Sequence, residues 1–200
     1  MPENEESANQ RILVIDDNRA IHEDFQRILA PCAPSADALA ASEAALFGDS
    51  TRSVSQPRFE VEFACQGAEG ADRVGTARSL NQPYALAFVD MRMPPGWDGI
   101  ETTAKIWELD PAVQIVICTA YSDHSWEDIS ARLGRSDQLV ILKKPFDNIE
   151  VLQLASALSE KWRRAAAVQE RLRELKALVD EQAPDLEAAF ARRSGTGTRQ

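Results

Sequence analysis

The sequence predicts an α/β protein built on a parallel sheet, and two observations carry that prediction. Short apolar segments alternate five times with amphipathic stretches of helical period. Two of the segments, Ile12-Leu13-Val14-Ile15 and Ile115-Val116-Ile117, are apolar without interruption. That pattern belongs to strands covered by helices on both faces of a sheet. Periodicity supplies the class and leaves the strand order open.

The elements follow in turn. Strands are predicted at Arg11–Ile15, Arg58–Phe63, Tyr84–Val89, Val113–Cys118 and Leu139–Leu142. Helices are predicted near Arg19–Leu29, Ala68–Ser79, Gly99–Leu109, Ser125–Leu133 and Asn148–Ser159. The α/β domain therefore spans 11–159, after a polar, acidic segment 1–10 that is expected to be disordered. Residues 31–57 form an insertion where a short turn would suffice. It holds Pro31, Pro34 and Pro57 and a helix-like piece, Asp37–Phe47, and connections of that length are usually functional or mobile. Beyond the domain, 160–193 reads as a helical extension. Trp162, Ala165, Val168, Leu172, Leu175 and Val179 are three or four residues apart, a short coiled-coil seam. Pro184 is expected to interrupt or restart this helix, and 194–200 to be a disordered tail.

Composition excludes several classes. Of 200 residues, 44% are hydrophobic and 27% charged, which is globular rather than disordered. The formal charge of −10 argues against a nucleic-acid surface, which needs a basic stripe. No apolar run reaches the roughly 20 residues of a membrane span, so no membrane insertion is expected. The N-terminus lacks the basic and apolar regions of a secretory signal, so the expected location is cytoplasmic. Cys32, Cys65 and Cys118 have neither metal-ligand spacing nor a redox pair, and read as incidental or buried thiols.

The chemistry gathers at strand ends, where open parallel sheets place their sites. Asp16 and Asp17 follow the first strand and Asp90 the third. If those strands are neighbours, three carboxylates converge, and a hard divalent cation relieves their repulsion. Mg²⁺ suits such a site, because it accepts few carboxylates and keeps water or phosphate oxygens as its other ligands. Thr119 after the fourth strand offers a hydroxyl, and Lys144 after the fifth a positive charge. A carboxylate nucleophile, a metal, a hydroxyl and an ammonium meet the needs of phosphoryl transfer. Read alone, Asp17 could equally cap the helix that starts near Arg19.

The ordered set Asp16-Asp17, Asp90, Thr119-Ala120 and Lys144-Pro145-Phe146 resembles the receiver domain of two-component response regulators, over roughly residues 10–159. The resemblance implies a doubly wound five-stranded parallel sheet in the order 2-1-3-4-5. It also implies that Asp90 is the phosphoacceptor, and that Mg²⁺ is held by Asp17, assisted by Asp16, together with Asp90 and the backbone carbonyl of Arg92. Thr119 would be the switch hydroxyl and Lys144 the phosphate contact, before a cis peptide to Pro145. Lys144 is preferred to Lys143 because it directly precedes the proline. The implied partner is a sensor histidine kinase or phosphotransfer protein, and the C-terminal helix is a possible homodimer contact. The chain is not expected to be an enzyme beyond self-catalysed phosphoryl transfer and slow autodephosphorylation.

Some features depart from the pattern or leave a choice. The loop Pro94-Pro95-Gly96-Trp97-Asp98 is one residue longer than the commonest form. Ile141 stands where the family usually carries an aromatic switch residue. Arg92 and Tyr121, two residues beyond Asp90 and Thr119, are expected to slow dephosphorylation. Exchanging both for small residues and timing the decay tests that. His22 and His124 read as surface or partly buried, and Trp97 and Trp126 as packing residues or partner contacts. The insertion and the motifs around Cys118-Thr119-Ala120-Tyr121 resemble receivers that precede cyclic-dinucleotide enzymes or histidine kinases, so the tail could be a linker to a further domain. The contrasting readings are a phosphorylation-independent interaction module and an aspartyl-phosphate phosphatase. The latter usually carries Asp-x-Asp, which Asp90-Met91-Arg92 lacks.

Overall fold

The computed structural model describes residues 11–30, 59–120, 126–134 and 136–194. The expectations for 1–10, for the insertion, for Cys32, Tyr121 and His124, for the Trp126 side chain and for 195–200 lie outside the described residues.

The elements run β1 (Arg11–Ile15), α1 (Arg19–Leu29), β2 (Glu60–Ala64), α2 (Gly67–Ser79), β3 (Leu86–Asp90), α3 (Gly99–Leu109), β4 (Gln114–Thr119), α4 (Trp126–Leu133), a 3-10 turn (Ser136–Gln138), β5 (Leu139–Lys143) and α5 (Asn148–Ser194). The sheet order is β2-β1-β3-β4-β5, with every neighbouring pair parallel. This is the doubly wound arrangement that the resemblance implies.

Strand alternation divides the core in two. On one face Leu13, Ile15, Ala87, Val89, Ile115 and Ile117 meet Val74, Ile106, Trp107 and Ile129 from α2, α3 and α4. On the other, Ile12, Val14, Leu86, Phe88, Val116 and Cys118 meet Phe25 and Leu29 of α1 and Val151, Ala155 and Leu158 of α5. Each large aliphatic side chain so buried contributes about 1.5–3 kcal/mol. This two-sided burial is why the central strands are apolar throughout.

β2, β3 and β4 start and end one or two residues later than their apolar patterns suggest. The reason lies in the backbone. Ladder hydrogen bonds are indifferent to side-chain polarity, so Asp90 pairs with Cys118 and Thr119 with Lys143. Asp90 and Thr119 are thus the last residues of their strands rather than the first beyond them.

The expectation at Pro184 is corrected. α5 is one helix of 47 residues that runs through Pro184 to Ser194. Proline cannot donate to the carbonyl four residues back, yet its fixed φ is helical, so one lost bond does not end the helix. By contacts the chain divides into two units, Met1–Trp162 and Arg163–Gln200. Among the described residues no helix is long and apolar enough to cross a membrane. The two ends of the insertion are tied to each other, because the Phe59 N–H donates to the Leu29 carbonyl at 3.4 Å.

Candidate functional site

Asp16, Asp90 and Lys144 come together at the carboxyl ends of β1, β3 and β5. Lys144 Nζ lies 2.6 Å from Asp16 Oδ2 and 2.7 Å from Asp90 Oδ1. All three side chains are largely buried, with Asp16 at 4%, Asp90 at 11% and Lys144 at 18% exposure. Burial opposes the ammonium charge. Hydrogen bonds and ion pairs to both carboxylates outweigh it and hold Lys144 above the ordinary lysine range. Lys143 is exposed, so of the two lysines it is Lys144 that reaches the carboxylates. Its backbone N–H donates to the Thr119 carbonyl at 2.7 Å, which ties the end of β5 to the end of β4. The Lys144–Pro145 peptide is cis, as the resemblance implies, and Pro94–Pro95 in the lengthened loop is cis as well.

Local structure fixes both carboxylates. Asp16 Oδ1 accepts from the Asn18 N–H at 2.9 Å, and Asp90 Oδ2 accepts from the Arg92 N–H at 2.9 Å. Asn18, not Asp17, caps α1, since its side chain accepts from the Ala20 N–H at 3.0 Å. The capping alternative for Asp17 is thereby overturned. Asp17 is exposed beside the cluster. Sequence reasoning missed Asn18, although Asn directly before an amphipathic run was signal enough.

Gly99 shapes the site through its backbone. Its N–H donates to the Met91 carbonyl at 3.0 Å, and a Cβ there would lie 2.6 Å from the Asp90 carbonyl oxygen. Only glycine lets the start of α3 approach the end of β3 so closely. Asp98 then caps α3 by accepting from the Glu101 N–H at 2.7 Å.

Below the cluster Cys118 is fully buried. Burial pushes its thiol upward, Lys144 opposes, and Asp90 and Asp16 add to the rise, so it stays a neutral thiol. Cys65 and Cys118 are both free. Ile141 is half-buried and packs on the core face that holds Ile117 and Ile129. His22 is partly buried, as expected, and stacks on Phe63 at 4.9 Å between ring centroids.

The donors at this site are hard oxygens, the chemistry that suits Mg²⁺. Asp16 and Asp90 already turn oxygens toward one cationic group, the Lys144 ammonium. Among the described residues no three His, Cys, Asp or Glu side chains are drawn around a common point. Asp17 would have to turn inward to join the other two. With that adjustment, and with the Lys144 ammonium drawn back from the oxygens it pairs with, the residues fit a small divalent cation.

The family model for the response regulator receiver domain matches residues 48–158, more than half the chain. The matched span begins after β1 and α1 and so does not include Asp16 and Asp17. No curated protein matches the sequence. Among solved structures, the chain is similar to a CheY-like response regulator receiver domain protein from Methanospirillum hungatei JF-1. That likeness has 22% identity and a TM-score of 0.53, and covers 78% of this chain and 98% of the other. It is also similar to a structure described as adenylate cyclase from Rhodopirellula baltica, at 20% identity and a TM-score of 0.59, covering 82% and 98%. A third is the signal receiver domain of an HD domain-containing protein from Pseudomonas fluorescens Pf-5, at 15% identity and a TM-score of 0.54, covering 80% and 94%. At these identities the structures speak for the fold alone, and they agree with the family match: the chain belongs to the response regulator receiver domain family.

Proposed function

We propose that this receiver domain is a phosphorylation-controlled switch in which Asp90 accepts a phosphoryl group from a sensor histidine kinase or phosphotransfer protein. The observation that carries the reading is the pairing of Lys144 with both Asp16 and Asp90 at the strand ends. A buried carboxylate held next to an ammonium and a second carboxylate suits covalent phosphoryl transfer better than it suits packing.

In the proposed reaction a carboxylate oxygen of Asp90 attacks phosphorus in line. The P–N bond of the donor phosphohistidine breaks as the new P–O bond forms, and the imidazole leaves with the electron pair. The Arg92 N–H holds one Asp90 oxygen and so orients the other. The Lys144 ammonium, released from Asp90, follows the negative charge onto the phosphoryl oxygens. The Thr119 hydroxyl, at the end of the adjacent strand, donates to another of them. Bound Mg²⁺, held by Asp16, Asp17, Asp90 and the Arg92 carbonyl, would neutralise charge on the phosphoryl group. Phosphorylation then biases two arrangements of the surface formed by α4, β5 and the first part of α5. With Ile141 at the usual aromatic position, that bias is transmitted by aliphatic repacking. No substrate other than the donor is turned over, so the chain acts as a switch and not as an enzyme.

The test is intact-protein mass after incubation with acetyl phosphate and Mg²⁺, beside Asp90→Asn. The expected result is one phosphate adduct, absent from the variant and from samples with chelator. An unlabelled protein, under conditions that label a control receiver, overturns the proposal in favour of a phosphorylation-independent interaction module.

A further inference from the structure

The lysine that bridges Asp16 and Asp90 lies in the connection 144–147 between β5 and α5. Hydrogen bonds secure that connection at both ends. At its start the Lys144 N–H donates to the Thr119 carbonyl at 2.7 Å. At its end Asp147 caps α5. Its carboxylate accepts from the Ile149 N–H at 2.9 Å, and its own N–H donates to the Glu150 carboxylate at 3.1 Å. Pro145, between these ties, is exposed and has no N–H to donate.

Phe146 ties the middle. Its partly buried ring meets Phe25 of α1, with 5.3 Å between centroids and 60° between planes. Phe25 in turn meets Phe88 of β3 at 4.8 Å and 53°, and both of these rings are 1% exposed. Tilted ring pairs gain from their geometry as well as from the area they bury. The three rings join the segments that supply the cluster. Phe88 stands two residues before Asp90 on one strand, so both side chains leave the same face of the sheet. α1, which carries Phe25, starts just beyond Asp16, and the N–H of its cap Asn18 holds Asp16 Oδ1.

We propose that Phe146 is a positioning residue: through Phe25 its ring clamps the connection 144–147 to α1 and β3, and so keeps the Lys144 ammonium between Asp16 and Asp90. A lysine side chain has much rotamer freedom to lose, so contacts of 2.6 and 2.7 Å to two carboxylates require a backbone that stays in place. Leucine at 146 would remain apolar but is shorter than the ring and reaches Phe25 less well. The inference rests on the phosphoryl-transfer reading for its use, because a lysine already held at the acceptor is oriented for the charge that develops there. The clamp itself involves neither phosphoryl group nor metal.

The experiment follows the lysine ammonium signals of the ¹⁵N-labelled full chain by NMR in chelator, with Lys144→Met identifying the one that belongs to Lys144. In the wild type that ammonium should exchange its hydrogens with water slowly. Phe146→Leu should speed the exchange by about tenfold. Phe146→Tyr keeps the ring, lets its hydroxyl reach water and should restore slow exchange. Leu158→Ala removes bulk from the same core about three turns along α5, and should leave the exchange within about twofold despite its cost to the melt. Phe25→Leu should act like Phe146→Leu, and the two together no worse than either alone.

Unchanged exchange in Phe146→Leu overturns the proposal, as does equal loosening in Leu158→Ala, which would mark general packing. Simple addition of the Phe25 and Phe146 effects overturns the route through Phe25. A wild-type Lys144 signal that exchanges as fast as that of the exposed Lys143 overturns the held ammonium. The same variants are then labelled with acetyl phosphate and Mg²⁺, where Phe146→Leu should form the Asp90 adduct about tenfold more slowly. Labelling at the wild-type rate despite a loosened ammonium overturns the positioning role. A wild type that takes no label, while its Lys144 exchange still depends on Phe146, upholds the clamp and refutes the phosphoryl-transfer reading.

Discussion

The two stretches of α5 have the same grammar and opposite fates. In the first, Val151, Ala155 and Leu158 are spaced four and three apart, and each is buried against the sheet. In the second, Val168, Leu172, Leu175 and Val179 are spaced four, three and four, and all are exposed. Ion pairs divide in the same way. Lys144 meets Asp16 and Asp90 where solvent hardly reaches, whereas Arg171 meets Glu174 at 71% and 52% exposure. A spacing pattern records what a helix can bury and says nothing about whether this chain supplies the partner.

The largest effect expected from breaking this contrast is at Val151. Val151→Asp places an unpaired carboxylate in the core and should lower stability by more than about 4 kcal/mol or prevent folding. Leu172→Asp, the matching change in the exposed stretch, should move the receiver's urea midpoint by less than about 0.5 kcal/mol equivalent. Equal losses at the two positions would erase the contrast.

Next comes Lys144→Met. It leaves Asp16 and Asp90 facing each other without their shared ammonium, and a loss of about 2–4 kcal/mol in chelator and low salt is expected. Adding Mg²⁺ should restore part of it if the oxygens accept a cation, which urea titrations with and without the metal will show.

The pH dependence of that difference sharpens the comparison. The folded-state value of Lys144 is raised, so the unfolded chain gives up this proton first as pH rises. The stabilisation from Lys144 is therefore complete below the ordinary lysine value and fades as pH climbs through the raised one. Wild type minus Lys144→Met, measured by urea unfolding, should stay flat across neutral pH and shrink only in the strongly alkaline range. A difference that collapses near neutrality would contradict the buried pairing.

The smallest effect belongs to the exposed pair. Glu174→Gln should alter receiver stability by no more than about 0.5 kcal/mol, and salt should remove even that.

Much of this was legible in the sequence, for reasons that differ by residue. Ile12 to Ile15 announces a buried strand because both its faces are covered, and the α/β alternation follows from such runs. Strand order is not written in periodicity, since parallel neighbours are joined by crossovers and pair with residues far away in sequence. It came from the resemblance carried by Asp16-Asp17, Asp90, Thr119 and Lys144. The choice of Lys144 over Lys143 also followed from the proline beside it, and the geometry agrees. Three adjacent residues, Asp16, Asp17 and Asn18, are all good helix caps, so composition could not say that Asn18 takes that place and leaves Asp17 exposed. Pro184 misled because one missing N–H is a small deficit in a 47-residue helix.

One hydrogen bond far from the chemistry has its own consequence. The Phe59 N–H meets the Leu29 carbonyl, so the end of α1 and the start of β2 adjoin. The two described ends of the insertion therefore lie side by side. Lengthening or trimming such a loop twofold changes its entropy by only about 0.6 kcal/mol. On that ground alone, a change in the length of this connection reaches the strand ends that gather Asp16, Asp90 and Lys144 only weakly.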